Sequence, residues 1–315
     1  MITAYAYVDR QLQINELSIT DIIPSGTLWL DLFKPDDQER EWLSQFSVED
    51  VPEEDDINEI EASARFYQNH DGLHINSLFP QRVGQEVKGV NVSFNIRQNF
   101  LLTIREEDVG LIRLLRNYLR LGRIEATSPL TLLLELFNLK VDYLSDLIED
   151  VYTVLDSVGE EVFKNDELDD VFKLITRQEH SNGKIRLSLL DTQRSLRYMQ
   201  KYYRGQLCDD ELKDLREMLL DIESLMPHSQ FIFDKLNFLL DAAIGFSGLQ
   251  QNRIIKIFSV AAVVFLPPTV IASSYGMNFS TMPELQWQFG YPMAILMMFG
   301  SAAGTYFFFK RKGWL

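Results

Sequence analysis

The chain has 315 residues, of which 30 are Lys or Arg and 46 are Asp or Glu, a formal net charge of -16 at pH 7. So acidic a chain is expected to attract cations and to repel nucleic acid. Its single cysteine, Cys208, excludes an intrachain disulfide, which suits a reducing compartment. The N-terminus lacks a basic segment followed by an apolar one, so we expect no signal peptide.

Residues 1–122 predict a small α+β domain, because short apolar runs alternate with turn signals. Candidate strands are "AYAYV", "TLWLDLF" and "LHINSLF", and "VNVSFNI" and "FLLTIRE" predict a hairpin. The segment "IEASARFY" between them has a helical pattern.

Residues 123–208 predict long antiparallel helices. A first apolar seam has strict 4,3 spacing at Leu130, Leu134, Phe137, Val141, Leu144, Ile148, Val151, Leu155, Val158 and Val162. After a break predicted at "HSNGK", a second follows at Ile185, Leu189, Thr192, Leu196, Met199 and Tyr203. Such seams indicate helices that pack against one another, with or without a further role.

The remaining chain predicts a stalk helix over 209–253 that continues into a first membrane span over 254–274. Pro227 is expected to bend this helix or to mark a junction. A loop over 275–290, a second span over 291–309 and a basic tail over 310–315 follow. Residues 257–283 and 285–309 contain no charged residue, so each window can cross a hydrocarbon core of about 30 Å.

The basic residues predict the orientation of the spans. From Arg253 onward there are five Lys or Arg and one acid, Glu284, a formal +4 that leaves -20 on residues 1–252. The bases flank the start of the first span and the end of the second, so both termini are expected to be cytoplasmic.

One face of the first span is small or polar, with two apolar exceptions. It comprises Asn252, Ile255, Ser259, Ala262, Leu266, Thr269 and Ser273. Small and hydroxyl residues can simply let helices pack closely. The alternative is a pore wall, and because only one span carries such a face, a pore would require several copies around an axis.

The segment after this face resembles a known family. "YGMNF" followed by "MPEL", then "WQFGYP" and "FKRKGWL", is similar to the CorA magnesium transporters, and "LDLFKPDD", "DTQRSL" and "NRIIKIFS" extend the resemblance over nearly the whole chain. It implies a funnel-shaped homopentamer in a bacterial inner membrane, with an α/β cytoplasmic domain, a stalk helix that becomes the pore helix and an outer ring of second spans.

The resemblance also implies pore positions. Asn278 would form a selectivity filter with Tyr275, Gly276 and Met277, its neutral amide oxygens binding the waters of hydrated Mg²⁺ more loosely than carboxylates would. Further family matches are Thr269 as a polar ring, Leu266 and Phe258 as apolar constrictions, Asn252 at the inner end and Asp241 below the membrane. Co²⁺ and Ni²⁺ hydrates are close in size and are expected to pass.

Mg²⁺ is expected as the transported and regulatory ion, with no other cofactor. No phosphate-binding G-x-x-x-x-G-K-[ST] motif occurs, and the membrane potential supplies ~4.6 kcal/mol per 100 mV for a divalent cation. Candidate sensor acids that bridge copies through Mg²⁺ are Asp221, Glu223, Glu53, Glu54, Asp55 and Asp56. Glu284 in the loop is expected to concentrate cations.

Two other classes compete with a transporter. His70, Asp71 and His74 in "NHDGLH" suggest a metalloenzyme, although the Asp-Gly pair favours a turn and no third ligand is evident. A membrane receptor that binds cations without flux is the second. Among transporters, Met277 favours magnesium over the related zinc-transporting branch.

Overall fold

A computed structural model of the chain describes residues 1–8, 11–44, 65–164, 168–277 and 282–313. They form two compact units, Met1–Leu240 and Asp241–Leu315. The strands are β1 Ile2–Val8, β2 Gln11–Leu17, β3 Thr27–Phe33, β4 Phe66–Asn69, β5 Gly72–Val83, β6 Glu86–Ile96 and β7 Leu101–Arg105. The helices are α1 Asp37–Ser44, α2 Gly110–Arg120, α3 Pro129–Lys164, α4 Leu168–Tyr202, α5 Asp209–Tyr275 and α6 Gly290–Arg311, with a 3-10 turn at Pro283–Gln286.

The strands form one mixed sheet in the order β2-β1-β3-β7-β6-β5-β4. Strands β3 and β7 pair in parallel and the other neighbours are antiparallel, including the predicted β6–β7 hairpin, which is confirmed. Strand β2 was not predicted from the sequence. It lies at the sheet edge with exposed or half-buried side chains, so it lacks the buried apolar run that identifies the central strands.

The helix predicted over "IEASARFY" is wrong at its end, because Phe66 and Tyr67 begin strand β4. Residues 60–64 of that segment lie outside the described part of the chain. Pairing with β5 overrides the local helical pattern: Phe66 faces Ile75, and the Tyr67 ring stacks on His74 with centroids 4.4 Å apart.

The helical seams are confirmed, since all ten predicted positions of α3 are buried and so are the first five of α4. Tyr203 is half-buried and lies just past the end of α4. The predicted break at "HSNGK" is wrong, because α4 is continuous from Leu168 to Tyr202. Buried Ser181 and Asn182 hydrogen-bond to other elements there, so tertiary contacts hold this polar stretch in the helix.

Helix α5 has a third seam, which sequence reasoning missed. Its buried positions in the first unit are Leu215, Met218, Ile222, Ser229, Ile232, Leu236 and Leu239. Ser229 exchanges two hydrogen bonds of 3.0 Å with Asn182 of α4, an arrangement that fixes helix register. The helix is continuous through Pro227, so the proline does not mark a junction.

A buried charge network joins the sheet to the helices. Asp191 of α4 accepts hydrogen bonds from the Ser77 hydroxyl at 2.6 Å and the Leu78 backbone N–H at 2.7 Å, both on β5. Its other oxygen lies 2.7 Å from Arg65. Fully buried Lys140 of α3 donates to Ser77 at 2.8 Å and lies 3.4 Å from Asp191. Two cations therefore share one buried carboxylate.

Because two buried cations face one carboxylate, we predict that the stability of the fold depends on pH. Burial lowers the pKa of Lys140 from 10.5 to about 8, with Arg65 adding to the shift and Asp191 opposing it. Between these values the folded chain has released a proton that the unfolded chain retains, so the free energy of unfolding should rise with pH, by up to roughly 3 kcal/mol.

Denaturation of the detergent-solubilised protein at about pH 7.5 and about pH 9, where a tyrosine with a pKa of about 10 is still largely protonated, would measure this rise. Lys140→Met should abolish it, because the titrating group is gone. Lys213→Met, which removes an exposed lysine paired with Glu217, should retain it. An unchanged pH profile in Lys140→Met would contradict the prediction.

Candidate ion-conducting site

The predicted filter begins at the end of helix α5. Tyr275 is the last helical residue, and the backbone N–H of Gly276 still donates to the Ala272 carbonyl at 3.0 Å. The φ angle of Gly276 is not positive, so a left-handed backbone conformation is not the reason for a glycine at this position. Met277 is half-exposed, and Asn278 lies outside the described residues.

The predicted pore positions share one property: all are exposed in the single chain. They are Asp241, Asn252, Ile255, Phe258, Ser259, Ala262, Leu266, Thr269 and Ser273. Leu266 exposes 61% and Phe258 71% of its surface, which for apolar side chains requires lipid or another protein surface as a partner. The Thr269 hydroxyl donates to the Phe265 carbonyl at 2.7 Å, which leaves its oxygen able to accept from water.

The opposite face of the first span is partly covered. Its half-buried residues are Val260, Val264, Pro267, Pro268, Ile271 and Tyr275. At 100° per residue this stripe is centred roughly 160° from the predicted pore face. Phe258 lies to one side of that face, whereas Leu266 lies near its centre. The chain's own packing thus leaves the polar face uncovered.

Helices α5 and α6 are both long and apolar enough to cross a membrane. In the most apolar window of α5 0% of residues are buried within the chain, and in that of α6 6% are. Core helices of soluble proteins are mostly buried, so these exposed apolar surfaces are those expected of membrane spans. Exposed Trp287, Phe289 and Tyr291 precede and begin α6, where aromatic residues mark a membrane–water boundary.

The candidate sensor acids have different surroundings. Glu223 forms an exposed ion pair with Arg197 at 3.2 Å, and Asp221 on the same helix is exposed. Glu53, Glu54, Asp55 and Asp56 lie outside the described residues. Glu284 lies in the 3-10 turn at Pro283–Gln286.

Sequence reasoning missed two places where acids of α3 and α5 influence each other electrostatically. The pKa of Asp142 is raised by partial burial and then by the charges of Asp146 and Asp221. The pKa of Glu135 is raised by burial and by Asp214. These pairs could have been found only by aligning the seams of the two helices. Among the described residues, no group of three or more Asp, Glu, His or Cys is arranged to hold a metal ion.

His70, Asp71 and His74, which suggested a metalloenzyme, lie in or next to a turn, as the Asp-Gly pair predicted. The side-chain oxygen of Asn69 accepts from the backbone N–H groups of Asp71 and Gly72, at 2.9 and 3.1 Å. His74 is buried on β5 between Asn69 and Asn95, 3.0 and 3.1 Å away. Its ring nitrogen is thus engaged within the sheet.

Comparisons with known proteins agree with this arrangement. The profile of the family described as "CorA-like Mg2+ transporter protein" matches residues 24–311. The chain is 42% identical over 319 residues to the magnesium transport protein CorA of Pectobacterium atrosepticum, covering 100% of both chains. It is 42% identical over 313 residues to that of Salmonella typhimurium, covering 97% of this chain and 98% of the relative.

The fold is also that of a solved structure. The complete structure of the CorA magnesium transporter from Methanocaldococcus jannaschii superposes with a TM-score of 0.74 over 100% of this chain and 99% of that one, at 19% identity. The predicted α+β domain, long helix and two C-terminal apolar helices are therefore confirmed. The chain belongs to the CorA-like Mg²⁺ transporter family, and it is accordingly a membrane ion transporter and not an enzyme.

Proposed function

We propose that the chain forms a homopentameric channel through which hydrated Mg²⁺ enters the bacterial cell across the inner membrane, driven by the membrane potential. Co²⁺ and Ni²⁺ would follow the same path. The observation that carries the proposal is the first span itself: its small and polar face is left uncovered, and the opposite face is partly buried by the same chain. Copies arranged around an axis would bring these uncovered faces together.

The chemistry of such a pore suits a hydrated divalent cation. In the proposed path the only charged side chains between Asn252 and Asn278 are Arg253 and Lys256, and both lie off the polar face. Mg²⁺ sheds water reluctantly, so amide and hydroxyl oxygens that bind its waters would pass the intact hydrate. Asn278 would provide the outer ring, Thr269 a second ring and Asp241 an acidic inner entrance. Glu284 would raise the cation concentration at the outer mouth.

Gating would couple the acidic part of the chain to this pore. Helix α5 is continuous from Asp209 to Tyr275, so one helix carries both Asp221 and the predicted pore face. The clustered charges of Asp142, Asp146 and Asp221 repel one another, and Mg²⁺ between copies would relieve that repulsion and favour a closed state. Loss of this Mg²⁺ would loosen the stalks. Glu223 suits the role less well, because Arg197 already neutralises it.

Replacing the proposed filter amide should abolish flux. In liposomes with an internal Mg²⁺ indicator and an inside-negative potential, we expect Asn278→Ala to reduce Mg²⁺ entry by about tenfold or more, because the water-binding ring is lost. Gln286→Ala, which removes another exposed amide, is the matched control and should leave entry unchanged.

Two results would contradict the proposed function. Normal Mg²⁺ entry in Asn278→Ala would show that Asn278 is not part of the selectivity filter. No entry in the correctly inserted wild type, together with cation binding, would favour the receptor class.

A polar substitution at the apolar constriction should make the pore leak. Leu266→Ser is expected to raise Mg²⁺ entry at high internal Mg²⁺ several-fold, since a wetted constriction no longer excludes the hydrate. Phe258→Ser is the comparison, and its effect should be smaller because this residue lies to the side of the polar face. The reverse order in the same liposome assay would identify Phe258 as the gate.

The regulatory proposal predicts a weaker response to internal Mg²⁺ in Asp221→Asn. The concentration that halves entry should rise by roughly twofold to tenfold, because one bridging carboxylate is lost. Glu223→Gln is the matched control on the same helix and should shift it less. Equal inhibition curves for wild type and Asp221→Asn would exclude Asp221 from the sensor.

A further inference from the structure

A groove of about 460 Å³ lies between the two spans, beside the predicted pore face. Its lining residues are Lys256, Ser259, Val260 and Val263 of α5 together with Phe309 and Gly313 at the end of α6. Ser259 belongs to the polar face of α5, Lys256 and Val263 lie to the side of it, and Val260 belongs to the half-buried stripe on the opposite face. The groove thus has an apolar wall with one ammonium group and one hydroxyl at its edge.

The surroundings of this groove are strongly basic. The unit Asp241–Leu315 carries five cationic side chains, Arg253, Lys256, Lys310, Arg311 and Lys312, against two acids, Asp241 and Glu284. Lys310, Arg311 and Lys312 lie in sequence between the lining residues Phe309 and Gly313. Within the described part of the chain none of the five cations forms an ion pair with an acid. The described residues of the single chain therefore leave this positive charge without an acidic partner.

We propose that this groove binds an anionic phospholipid, with the headgroup phosphate on Lys256 and an acyl chain against Val260, Val263 and Phe309. Basic pockets between membrane helices suit such headgroups, since each Lys or Arg near an anionic membrane surface contributes about 1 kcal/mol. A free phosphate would leave the apolar wall uncovered. A second copy of the apolar span would cover that wall and leave the cations unpaired.

The binding mode makes charge and shape separately testable. The ammonium of Lys256 selects anionic over zwitterionic headgroups, whereas the apolar wall selects a lipid over a water-soluble phosphate. The inference rests on the chain spanning a membrane and is independent of which ion passes. Transport and lipid binding can therefore fail separately.

The test uses native mass spectrometry of the detergent-solubilised assembly with phosphatidylglycerol, with phosphatidylcholine of the same acyl chains, and with glycerol phosphate. We expect retained phosphatidylglycerol and little of the other two. Lys256→Gln should weaken phosphatidylglycerol binding about fivefold, the equivalent of roughly 1 kcal/mol. Arg253→Gln, the same charge change one turn away and outside the groove, should have the smaller effect.

A second variant, Val263→Trp, fills the groove and keeps every charge. It should lower phosphatidylglycerol binding while the assembly keeps its mass. Equal binding of both lipids, equal competition by glycerol phosphate, or unchanged binding in Lys256→Gln would each overturn the proposal. Dissociation of the assembly in Val263→Trp with lipid binding intact would also overturn it, because another copy would then occupy the groove. Lost Mg²⁺ entry with lipid binding intact would count against the proposed function alone.

Discussion

The carboxylate of Asp191 is the contact on which the first unit depends. It holds a strand, two helices and the residue before β4 together, through Ser77, Leu78, Lys140 and Arg65. A buried ion network of this kind contributes little net stability, but removal of one partner leaves an uncompensated charge, at a cost of about 3–5 kcal/mol. The network therefore specifies one position of the helices on the sheet. The apolar seams of α3 and α4 supply the burial that holds them there.

A second buried pair plays the same part at the centre of the sheet. Arg105 of β7 lies 2.9 Å from Asp31 of β3, and Asp31 also accepts from the Thr103 hydroxyl at 2.5 Å. These two strands are the parallel pair, which no short turn connects. Complementary buried polar groups can fix the register of such strands, because any slip would separate the charges.

The family assignment explains why the chain divides its charge so unevenly. All the acidic residues except Glu284 lie before the first span, and the five cations from Arg253 onward lie at the ends of the two spans. An uncharged polar face between them is costly in lipid unless it meets water or another polar surface. The half-buried stripe lies on the opposite side of the same helix, so the polar face points away from the side that the chain itself covers. The proposed channel of several copies would use both faces.

The sequence by itself determined the two spans, the seams of α3 and α4 and the β6–β7 hairpin, because each is a local pattern of apolar residues. Its motifs, by their resemblance to a known family, indicated the class of protein. It also identified the polar face of the first span. Only the tertiary structure decided that Phe66 and Tyr67 form a strand, that "HSNGK" stays helical and that Pro227 does not end α5. It also placed Asp221 of α5 where its charge raises the pKa of Asp142 of α3. In each case distant partners outweigh local preference, since strand pairing, buried hydrogen bonds and helix packing join residues that are far apart in the chain.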